Sequence, residues 1–480
     1  MEEPRVLALD LGTSSVRALL FDHRGRAVPD ALARRPTRLE VDDDGRAELD
    51  PEAILAALGE CIDELSERGH LRDGVSDVAT SCAWHSVIAA DAHGRPLTGA
   101  LTWADTRAAR LVDELHRRSD PGRLQAATGA TPHTTYWTVK IPWLARNLRN
   151  SPPARYLGLA EYVTGALLGE SGTSISQASG TGLLELASMR WYPEALALAG
   201  VDEQALPELL APGWSGRLRG EPARRWPALA DATWHPPVGD GAASNVGAGC
   251  VTPDRAAINL GTSAAVRAIH QQPTPLDRAL WRYRVDERQL ITGAAFSGAG
   301  NLYAWARTVL ALPSDEETEA ALAAVPPGAD GVVVMPYHVG SRAPLDLVAG
   351  SGVIAGISVA TTAVEIVAAT LEAVCFQLAE GVEALELSLG ARAGSMEMVA
   401  SGGAVVASRW WQQALANVLG RPLRVVDEPE ASARGAALLA LGHAPEPQAG
   451  HVVEPKPDAV EAERGARAAY LDLAERLGYV

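Results

Sequence analysis

Lysine is nearly absent from this chain of 480 residues, which contains only Lys140 and Lys456. Neither residue completes the GxxxxGKS/T pattern of a P-loop, and neither lies in a strand after a glycine-rich loop, as the ATP-binding lysine of protein kinases does. Both of these nucleotide-binding classes are therefore excluded. A chain of this kind that handles ATP must bind it with backbone turns, hydroxyl groups, arginines and a metal ion.

Cysteine is also scarce, and the four cysteines are too far apart in the sequence to form a metal-binding pair: Cys61, Cys82, Cys250 and Cys375. A chain of this length needs no disulfide bonds to stabilise its core. We therefore expect reduced thiols, most of them buried. The N-terminal residues contain no basic segment ahead of an apolar run, so we expect no signal peptide and predict a soluble, cytoplasmic protein.

Long uncharged apolar segments are missing as well. The most apolar stretch, residues 364–387, carries five glutamates, and these carboxylates exclude a lipid-spanning helix. Positive charge is in deficit, and the formal net charge of -17 argues against nucleic-acid binding. The remaining composition, 47% hydrophobic and 21% charged, is typical of a globular protein with two or three domains.

A short internal repeat organises the chain. The segment Leu9–Ser14 recurs as Ile258–Ser263, and each copy lies between two apolar stretches. This pattern predicts a strand, a Gly-Thr-Ser turn and a second strand, present twice. Because the copies are about half a chain apart, they indicate two related domains. The alternative is an ordinary hairpin turn that recurs by chance.

The chemistry of this turn suits phosphate, because glycine lets the backbone approach an anion while successive N–H groups and hydroxyls donate to it. The copies differ at one position, where the first has Asp10 and the second has Asn259. A carboxylate beside phosphates is repulsive unless a cation lies between them, so Asp10 is a candidate Mg²⁺ anchor. The candidate phosphate-binding residues are Gly12, Thr13 and Ser14 in the first copy and Gly261, Thr262 and Ser263 in the second.

Local signals predict alternating helices and strands. Asp50 followed by proline is a typical helix start, and Thr362 with Glu365 forms a capping box before a long apolar helix. The run Val332–Val334 is typical of a buried strand. A charged helix is expected from about residue 459 to about residue 477.

Five sequence blocks, taken in order, cover nearly the whole chain. They are Asp10 to Ser15; Trp84 to Ser86 with Thr102 to Arg107; Gly239 to Gly241; Gly261 to Ser263; and Ser401 to Ala404 with Glu430 to Ala437. In this order the blocks resemble the FGGY family of carbohydrate kinases. The second block is most similar to the gluconokinase branch, and His133 also stands where that branch has a histidine.

The resemblance implies an α/β protein with the two-lobed, actin-like and ribonuclease-H-like ATPase fold, built from duplicated domains around a central cleft. We expect an N-terminal domain over residues 1–247, with the sugar site, the first phosphate turn and the catalytic aspartate. A C-terminal domain over residues 248–445 is expected to hold the second phosphate turn and the adenosine site. Residues 446–480 are expected to form a C-terminal tail with a helix, and a homodimer is left open.

The resemblance identifies Asp240 as the general base. A sugar hydroxyl must lose its proton as it attacks phosphorus, and a carboxylate within hydrogen-bond reach can accept that proton. The flanking glycines let the backbone bring the carboxylate close to a substrate. The alternative is that Gly239–Gly241 forms an ordinary surface turn.

The resemblance also implies a polyol-binding set, because a polyol needs hydrogen-bond partners for its hydroxyls and a flat apolar wall for its carbons. The alternatives are core packing for the tryptophan and a histidine satisfied within the fold. The members of this set are His85, Trp103 and Asp105, with Trp84 and His133 as further candidates.

The adenosine site is expected at Gly402, Gly403 and Ala404, which would let the base and ribose lie against the backbone and which also form a strand-to-helix turn. Arg342 follows Ser341, which replaces an acid found in the family, and we interpret Arg342 as structural, with ligand contact as the alternative. Residues 134–137 border the expected sugar site and differ from the gluconokinase pattern, so they leave the sugar open.

The sequence as a whole predicts an ATP- and Mg²⁺-dependent kinase that phosphorylates a hydroxyl of a small sugar, polyol or sugar acid, with gluconate as the first choice. The alternatives are a xylulose or ribulose kinase and, from another class, a non-catalytic actin-like ATPase switch. A switch protein needs no polyol site. The presence of Asp240 together with Trp103 and Asp105 therefore favours the kinase.

Overall fold

The computed structural model describes residues 5–170, 172–338, 351–446 and 448–479. The chain divides into two compact units, each made of three segments. The first unit comprises Met1–Gly249, Arg282–Ile291 and Glu430–Glu446, and the second comprises Cys250–Trp281, Thr292–Pro429 and Pro447–Val480.

Strands and helices alternate along both units, as the local signals predict. The strands are β1 (Val6–Leu11), β2 (Ser15–Phe21), β3 (Ala27–Pro36), β4 (Glu40–Val41), β5 (Ala47–Leu49), β6 (Asp77–Cys82), β7 (Ile88–Ala90), β8 (Ala100–Leu101), β9 (Arg155–Leu157), β10 (Gly172–Thr173), β11 (Leu184–Glu185), β12 (Arg190–Trp191), β13 (Glu208–Leu209), β14 (Thr233–Trp234), β15 (Val238–Gly239), β16 (Arg255–Leu260), β17 (Ala264–His270), β18 (Trp281–Arg284), β19 (Leu290–Phe296), β20 (Val333–Met335), β21 (Val353–Ala355), β22 (Glu397–Ser401), β23 (Leu423–Val425) and β24 (His451–Val453). The α-helices are α1 (Pro51–Glu67), α2 (Val112–Arg118), α3 (Pro121–Thr128), α4 (Trp137–Asn147), α5 (Leu159–Leu168), α6 (Ile175–Ser179), α7 (Pro193–Ala199), α8 (Gly220–Arg225), α9 (Asp240–Gly247), α10 (Gly300–Val309), α11 (Asp315–Leu322), α12 (Ala363–Leu389), α13 (Gly403–Ala407), α14 (Arg409–Leu419), α15 (Ala431–Leu441) and α16 (Pro457–Arg476). Short 3₁₀ helices cover Ala109–Leu111, Glu203–Ala205, Pro227–Leu229 and Ala329–Gly331.

The main sheet of the first unit has the order β14-β6-β1-β2-β3, and β15 also pairs with β6. Strand β1 is antiparallel to β2 and parallel to β6, and β14 and β15 are parallel to β6. Helix α1 packs against β2 and β3, while α15 packs against β1, β6 and α9. The sheet therefore has helices on both faces, which explains why every residue of β1 is buried.

Alternation along β1 assigns its side chains to these two faces. Leu7, Leu9 and Leu11 belong to the core cluster that includes α1. Val6 and Ala8 belong to a second cluster that includes residues of α9 and α15. Asp10 continues the series of Val6 and Ala8, so it lies on the α9 side of the sheet, near the carboxyl end of β1.

The main sheet of the second unit contains, in order, residues 292–296 of β19 followed by β17, β16, β22, β23 and β24. Strand β16 is antiparallel to β17 and parallel to β22, and β22 is parallel to β23. These relations repeat those among β1, β2, β6 and the parallel strands beside β6. The predicted duplication is therefore confirmed, and each copy places its Gly-Thr-Ser turn between the two strands of the first hairpin.

The predicted helix starts are confirmed. Asp50 caps α1 by accepting hydrogen bonds from the N–H groups of Glu52 and Ala53. Thr362 and Glu365 form the capping box at the start of α12. The predicted C-terminal helix is α16, and β24, which the sequence did not predict, precedes it and pairs antiparallel with β23.

The four cysteines are free and buried, as expected. Burial raises the pKa of the Cys61 thiol to about 11 and that of the Cys250 thiol to about 12. These groups are therefore protonated at neutral pH. Among the residues that the structure describes, no helix is both long and apolar enough to cross a membrane.

Candidate active site

The first turn connects β1 to β2 through Gly12, Thr13 and Ser14, and the Gly12 N–H donates to the Ser15 carbonyl at 3.1 Å. Thr37 holds the turn from one side. Its hydroxyl donates to the Thr13 carbonyl at 2.7 Å, and its N–H donates to the Ser14 carbonyl at 3.1 Å. Because the carbonyl and N–H of a trans peptide point in opposite directions, the N–H of Ser14 points away from Thr37.

The second turn is held in the same way. The Gly261 N–H donates to the Ser263 carbonyl at 3.0 Å, while the N–H groups of Gly300 and Asn301 donate to the carbonyls of Gly261 and Thr262 at 2.9 and 3.1 Å. The N–H groups of Thr262 and Ser263 therefore point away from the start of α10. Such outward N–H groups are the donors that anion-binding turns use.

The predicted adenosine residues lie beside the second turn. A Cβ on Gly402, whose φ is 105°, would lie 2.4 Å from the Leu260 carbonyl oxygen, and a Cβ on Gly300 would lie 3.5 Å from the Cβ atom of Ala404. A Cβ on Gly403 would meet no atom of the described residues within 4 Å. The second unit thus brings its phosphate turn and the Gly402–Ala404 turn together, with open space at Gly403.

Asp10 is a buried carboxyl group, only 6% exposed, at the end of β1. Burial raises its pKa from the ordinary 3.8 to about 6, and the nearby Arg17 guanidinium lowers it in part. The negative charges of Asp240 and Glu430 also raise it. The Arg17 Nη1 atom lies 3.4 Å from Asp10 Oδ2 and 2.9 Å from Glu430 Oε2, so one cation is shared between two acids.

This arrangement fits a magnesium ion that is shared with phosphate. Carboxylate oxygens are ligands that Mg²⁺ prefers, and Mg²⁺ is usually held by one or two carboxylates together with substrate phosphates. No group of three or more His, Cys, Asp or Glu side chains among the described residues is placed to hold a metal ion.

Asp240 is the first residue of α9 and is half-buried. Its Oδ1 atom accepts a hydrogen bond from the Gly241 N–H at 2.8 Å. Helix α9 packs closely on α15, where a Cβ on Gly435 would lie 1.8 Å from the Ala243 carbonyl oxygen. The helix that carries Asp240 is thus fixed against the sheet that carries Asp10.

Trp84 lies beside the residue that precedes Asp240. A Cβ on Gly239 would lie 1.8 Å from Cε2 of the indole ring, so only glycine fits there. The indole is 5% exposed, and its N–H donates to the Ser176 carbonyl at 3.0 Å. The structure therefore brings Trp84 and Asp240 together, with Trp84 packed behind the backbone rather than fully open to solvent.

His85 adopts a left-handed backbone conformation, with φ of 73°, and is 8% exposed. Its Nδ1 atom lies 2.6 Å from the Gly180 carbonyl oxygen, so Nδ1 carries a proton and Nε2 is the acceptor in the neutral ring. The rings of Tyr136 and Tyr283 pack edge-on against the His85 ring, with distances between ring centroids of 5.4 and 5.5 Å. The two tyrosine hydroxyls are 2.6 Å apart.

Tyr283 was missed by the sequence analysis, which named Tyr136 only as part of a segment that differs from the gluconokinase pattern. Tyr136 carries a weak signal because it lies between His133 and α4. Tyr283 lies 147 residues later, and no local pattern connects it to Tyr136 or His85. Only the folded chain brings these rings together.

Trp103 and His133 are joined through Thr135. The Thr135 N–H donates to Nδ1 of His133 at 3.1 Å, and the Thr135 hydroxyl donates to the Trp103 carbonyl at 3.4 Å. Since Nδ1 of His133 accepts, the proton of the neutral ring is on Nε2. Trp103 is partly buried.

Asp105 is nearly fully buried, at 1% exposure, and its carboxylate meets groups of the protein. Oδ2 accepts from the Ala47 N–H at 3.0 Å and from Arg107 Nη2 at 2.6 Å. Arg107 also forms an ion pair with Glu48. These contacts fix the loop after β8, which carries Trp103. Arg342 and Ser341 lie outside the described residues.

Comparisons with known proteins match the N-terminal and the C-terminal parts of the chain to two domains of one family. Residues 5–226 match the model of the N-terminal domain of the FGGY family of carbohydrate kinases, and residues 256–443 match the model of its C-terminal domain. Gluconokinase from Bacillus subtilis (strain 168) is 27% identical over 460 residues, which are 91% of this chain and 87% of that protein.

Other relatives carry other substrate names. A glycerol kinase from Rhizorhabdus wittichii is 30% identical over 466 residues, 91% of this chain and 88% of that protein. A xylulose kinase from Streptomyces coelicolor is 30% identical over 460 residues, 92% of this chain and 88% of that protein. At this level of identity the relatives do not resolve the substrate.

Solved structures show the same fold. A gluconate kinase and a ligand-bound xylulose kinase, both from Lactobacillus acidophilus, each have a TM-score of 0.89 to this chain at 24% identity, with 99% of this chain and 98% of the other covered. The similarity supports the predicted actin-like, two-domain architecture. The fold of this chain is therefore the fold of these two kinases.

Proposed function

This chain belongs to the FGGY family of carbohydrate kinases and is a phosphotransferase with a sugar hydroxyl as acceptor, and from that premise we propose that it transfers the γ-phosphate of ATP to gluconate. The observation that carries this proposal is the half-buried Asp240 carboxylate at the start of α9, beside the strand end that carries Asp10. Gly239, the residue before Asp240, pairs with Cys82 of β6, and Asp10 pairs with the adjacent Ser81. Phosphoryl transfer to a hydroxyl needs a proton acceptor, for which we propose Asp240, beside a carboxylate that can hold the metal ion of ATP, for which we propose Asp10.

Asp240 acts as the general base in this proposal. Its carboxylate orients the attacking hydroxyl and takes its proton as the bond to phosphorus forms. Asp240 directly follows β15 and is the first residue of α9, so a strand and a helix hold the backbone on either side of its carboxylate. Asparagine at this position would keep the shape but could not accept the proton.

Each Gly-Thr-Ser turn is a phosphate-binding turn in this proposal. In each turn the carbonyl groups are held by other backbone or hydroxyl donors, so the N–H groups of Ser14 in the first turn and Thr262 in the second are directed outward. Phosphate oxygens accept such hydrogen bonds. Gly402, Gly403 and Ala404 then receive the adenosine, and the open space at Gly403 leaves room for it.

Asp10 is the residue that would hold Mg²⁺. When bound with ATP, this ion neutralises charge on the transferred phosphoryl group. The residue itself supplies a carboxylate whose ionised form is unfavourable in the unliganded protein, since burial raises its pKa to about 6. A cation at this place would favour the ionised form.

The sugar is recognised by the set His85, Trp103, Asp105, Trp84 and His133 in this proposal. Within it, the partly buried Trp103 offers the apolar wall for the sugar carbons. In the neutral rings, Nε2 of His85 is an acceptor and Nε2 of His133 is a donor. Asp105 contributes through the loop that it fixes.

The division of labour along the chain follows the sequence expectation. We place the sugar site and the base in residues 1–247, the adenosine site in residues 248–445, and a C-terminal extension in residues 446–480.

Gluconate is the first candidate because the segment around His85 and Trp103 is similar to the gluconokinase branch, and because a gluconokinase is among the relatives. Xylulose is the second candidate, favoured by the 30% identity to a xylulose kinase. A coupled assay of ADP release with gluconate, xylulose, ribulose and glycerol tests this choice. Turnover of xylulose without turnover of gluconate would move the chain to the second candidate and leave the kinase assignment intact.

Asp240→Asn tests the base. Loss of a general base typically lowers kcat by about 10²–10⁴-fold, while binding of sugar and ATP is expected to persist because the amide still meets the hydroxyl. Asp120→Asn is the matched control, because Asp120 caps α3 and asparagine caps helices equally well. A kcat of Asp240→Asn within about threefold of wild type would exclude Asp240 as the base, given the factor expected for base loss.

A further inference from the structure

Asp240 is reached through a very short strand, β15, which contains only Val238 and Gly239. This strand pairs with β6, where Gly239 lies opposite Cys82. Two residues give a strand little hydrogen bonding of its own. Besides the packing of α9 on α15, the position of the Asp240 carboxylate therefore depends on what else holds Gly239.

Ser176 holds Gly239 by two routes. Its hydroxyl oxygen accepts a hydrogen bond from the Gly239 N–H at 3.1 Å. Its carbonyl accepts from the Trp84 indole N–H at 3.0 Å, and the Trp84 ring in turn fills the space where a Gly239 side chain would be. One residue thus sets both the hydrogen bond and the packing of the residue before Asp240.

Ser176 is itself fixed in the fold. It is 2% exposed and lies in α6, whose preceding residue Ser174 donates its hydroxyl to the Pro237 carbonyl at 2.5 Å. The next residue, Gln177, donates its amide to the Cys82 carbonyl at 3.1 Å. Helix α6 therefore contacts both β6 and the segment leading into β15, and Ser176 lies between these two contacts.

We propose that Ser176, together with Trp84, is a positioning residue for the transfer reaction and holds the Asp240 carboxylate at the attacking hydroxyl. This inference rests on the proposed role of Asp240 as the base. A misplacement of about 1 Å can cost about 10²-fold in rate even when the change is away from the chemistry. The contribution of Ser176 is therefore to kcat and acts only through Asp240.

Ser176→Ala removes the acceptor for the Gly239 N–H and leaves the carbonyl for Trp84. We expect kcat to fall by about 10- to 100-fold, with the KM values for sugar and ATP within about twofold of wild type, because the variant displaces the base without removing a binding group. Ser388→Ala is the matched control. Ser388 is also a buried serine, and it donates to a backbone carbonyl, that of Pro275, at 2.6 Å in the second unit.

A double-mutant cycle separates positioning from general destabilisation. In the Asp240→Asn background, Ser176→Ala is expected to change kcat by less than about twofold, since the base that it positions is already lost. A full-sized loss in that background, or an unchanged kcat in Ser176→Ala itself, overturns the inference. If Asp240→Asn alone keeps its kcat, the proposed function fails, and this outcome is read independently of Ser176.

Ser176→Cys covers the case in which the alanine variant does not fold. Its side chain is somewhat larger than that of serine, and its sulfur is only a weak acceptor for the Gly239 N–H. We expect a folded protein, checked by thermal unfolding, with a kcat between those of wild type and the alanine variant. A folded cysteine variant with wild-type kcat counts against the inference.

Discussion

Replacing Asp10 by asparagine removes a carboxyl group that the fold buries at the end of β1. The side chain keeps its size and its place between Arg17 and the α9 side of the sheet. What changes is ionisation: burial, together with the charges of Asp240 and Glu430, raises the pKa of this group, and Arg17 offsets only part of that effect. The variant therefore tests whether the ionised Asp10 carboxylate lowers the stability of the unliganded fold.

The magnitude follows from the pKa. At about 1.36 kcal/mol per pKa unit, a rise from 3.8 to about 6 costs the folded, ionised protein about 3 kcal/mol relative to its protonated form. Because the pKa of the folded state lies above that of the unfolded state, the protonated fold is favoured at low pH, and this stability is lost as the pH rises through about 6. The asparagine variant has no such loss, so the substitution stabilises the unliganded protein at neutral and higher pH.

The measurement is unfolding by urea or heat, without ligand, at about pH 5 and about pH 8, which bracket the pKa. The free energy of unfolding of Asp10→Asn minus that of wild type is expected to increase between these two pH values by about 1.4 kcal/mol. The rest of the ~3 kcal/mol is already lost between about pH 3.8 and about pH 5, where the unfolded chain ionises. Asp73→Asn serves as the control, because its side chain is 82% exposed. If the difference in the free energy of unfolding between variant and wild type is the same at both pH values, the burial of Asp10 has no electrostatic cost.

Turnover is expected to change in the opposite sense. The amide provides no anionic ligand for Mg²⁺, so Asp10→Asn should lose activity while it gains stability. In wild type, kcat/KM should rise as the pH passes through about 6, where Asp10 ionises. Full activity of the variant, or full activity of wild type in excess chelator, would remove Asp10 from the metal site.

Three further substitutions test separate parts of the molecule. Trp103→Ala should raise the KM for the sugar by on the order of 10-fold with little effect on ATP, and an unchanged sugar KM in steady-state assays would assign Trp103 to packing alone. Gly402→Ala forces a side chain onto the Leu260 carbonyl at positive φ and should destabilise the protein by about 1–3 kcal/mol, measured by thermal unfolding, whereas Gly403→Ala, which meets open space, should not. Glu463→Gln should stabilise the protein increasingly from about pH 6 to about pH 9, because burial raises the pKa of Glu463 and stability from the protonated form is lost as the pH rises; a pH-independent difference would contradict this.

The duplicated fold was predictable because its signals are local. A turn of three residues between two apolar strands recurs with the same letters, and helix starts such as Asp50 and Thr362 are set by side chains that contact the next few N–H groups. Strand β24 was not predictable in this way. It is a three-residue strand at the sheet edge, mostly exposed, and it forms by pairing with β23 rather than by a pattern of its own.

The carboxylates of the candidate site were predictable for a related reason. Asp10 breaks an apolar strand just before a glycine turn, and Asp240 stands between two glycines, so each is conspicuous in its own short segment. Their proximity follows from topology, since β1 and β15 both pair in parallel with β6 and end at the same edge. Ser176 gave no such signal, because a serine in a polar segment has no feature that marks its bond to Gly239.

The sugar was the least predictable part, and the structure indicates why. The reaction requires phosphate turns and a base, which short segments encode. The surroundings of His85 instead depend on two aromatic rings that lie 147 residues apart in the chain and meet through their hydroxyls. Tyr136 belongs to the segment that departs from the gluconokinase pattern, and Tyr283 comes from β18, outside every block that carried the resemblance. Since a polyol site is defined by the shape and donors of its wall, a chain can retain every residue needed for phosphoryl transfer while its sugar changes through contacts of this kind.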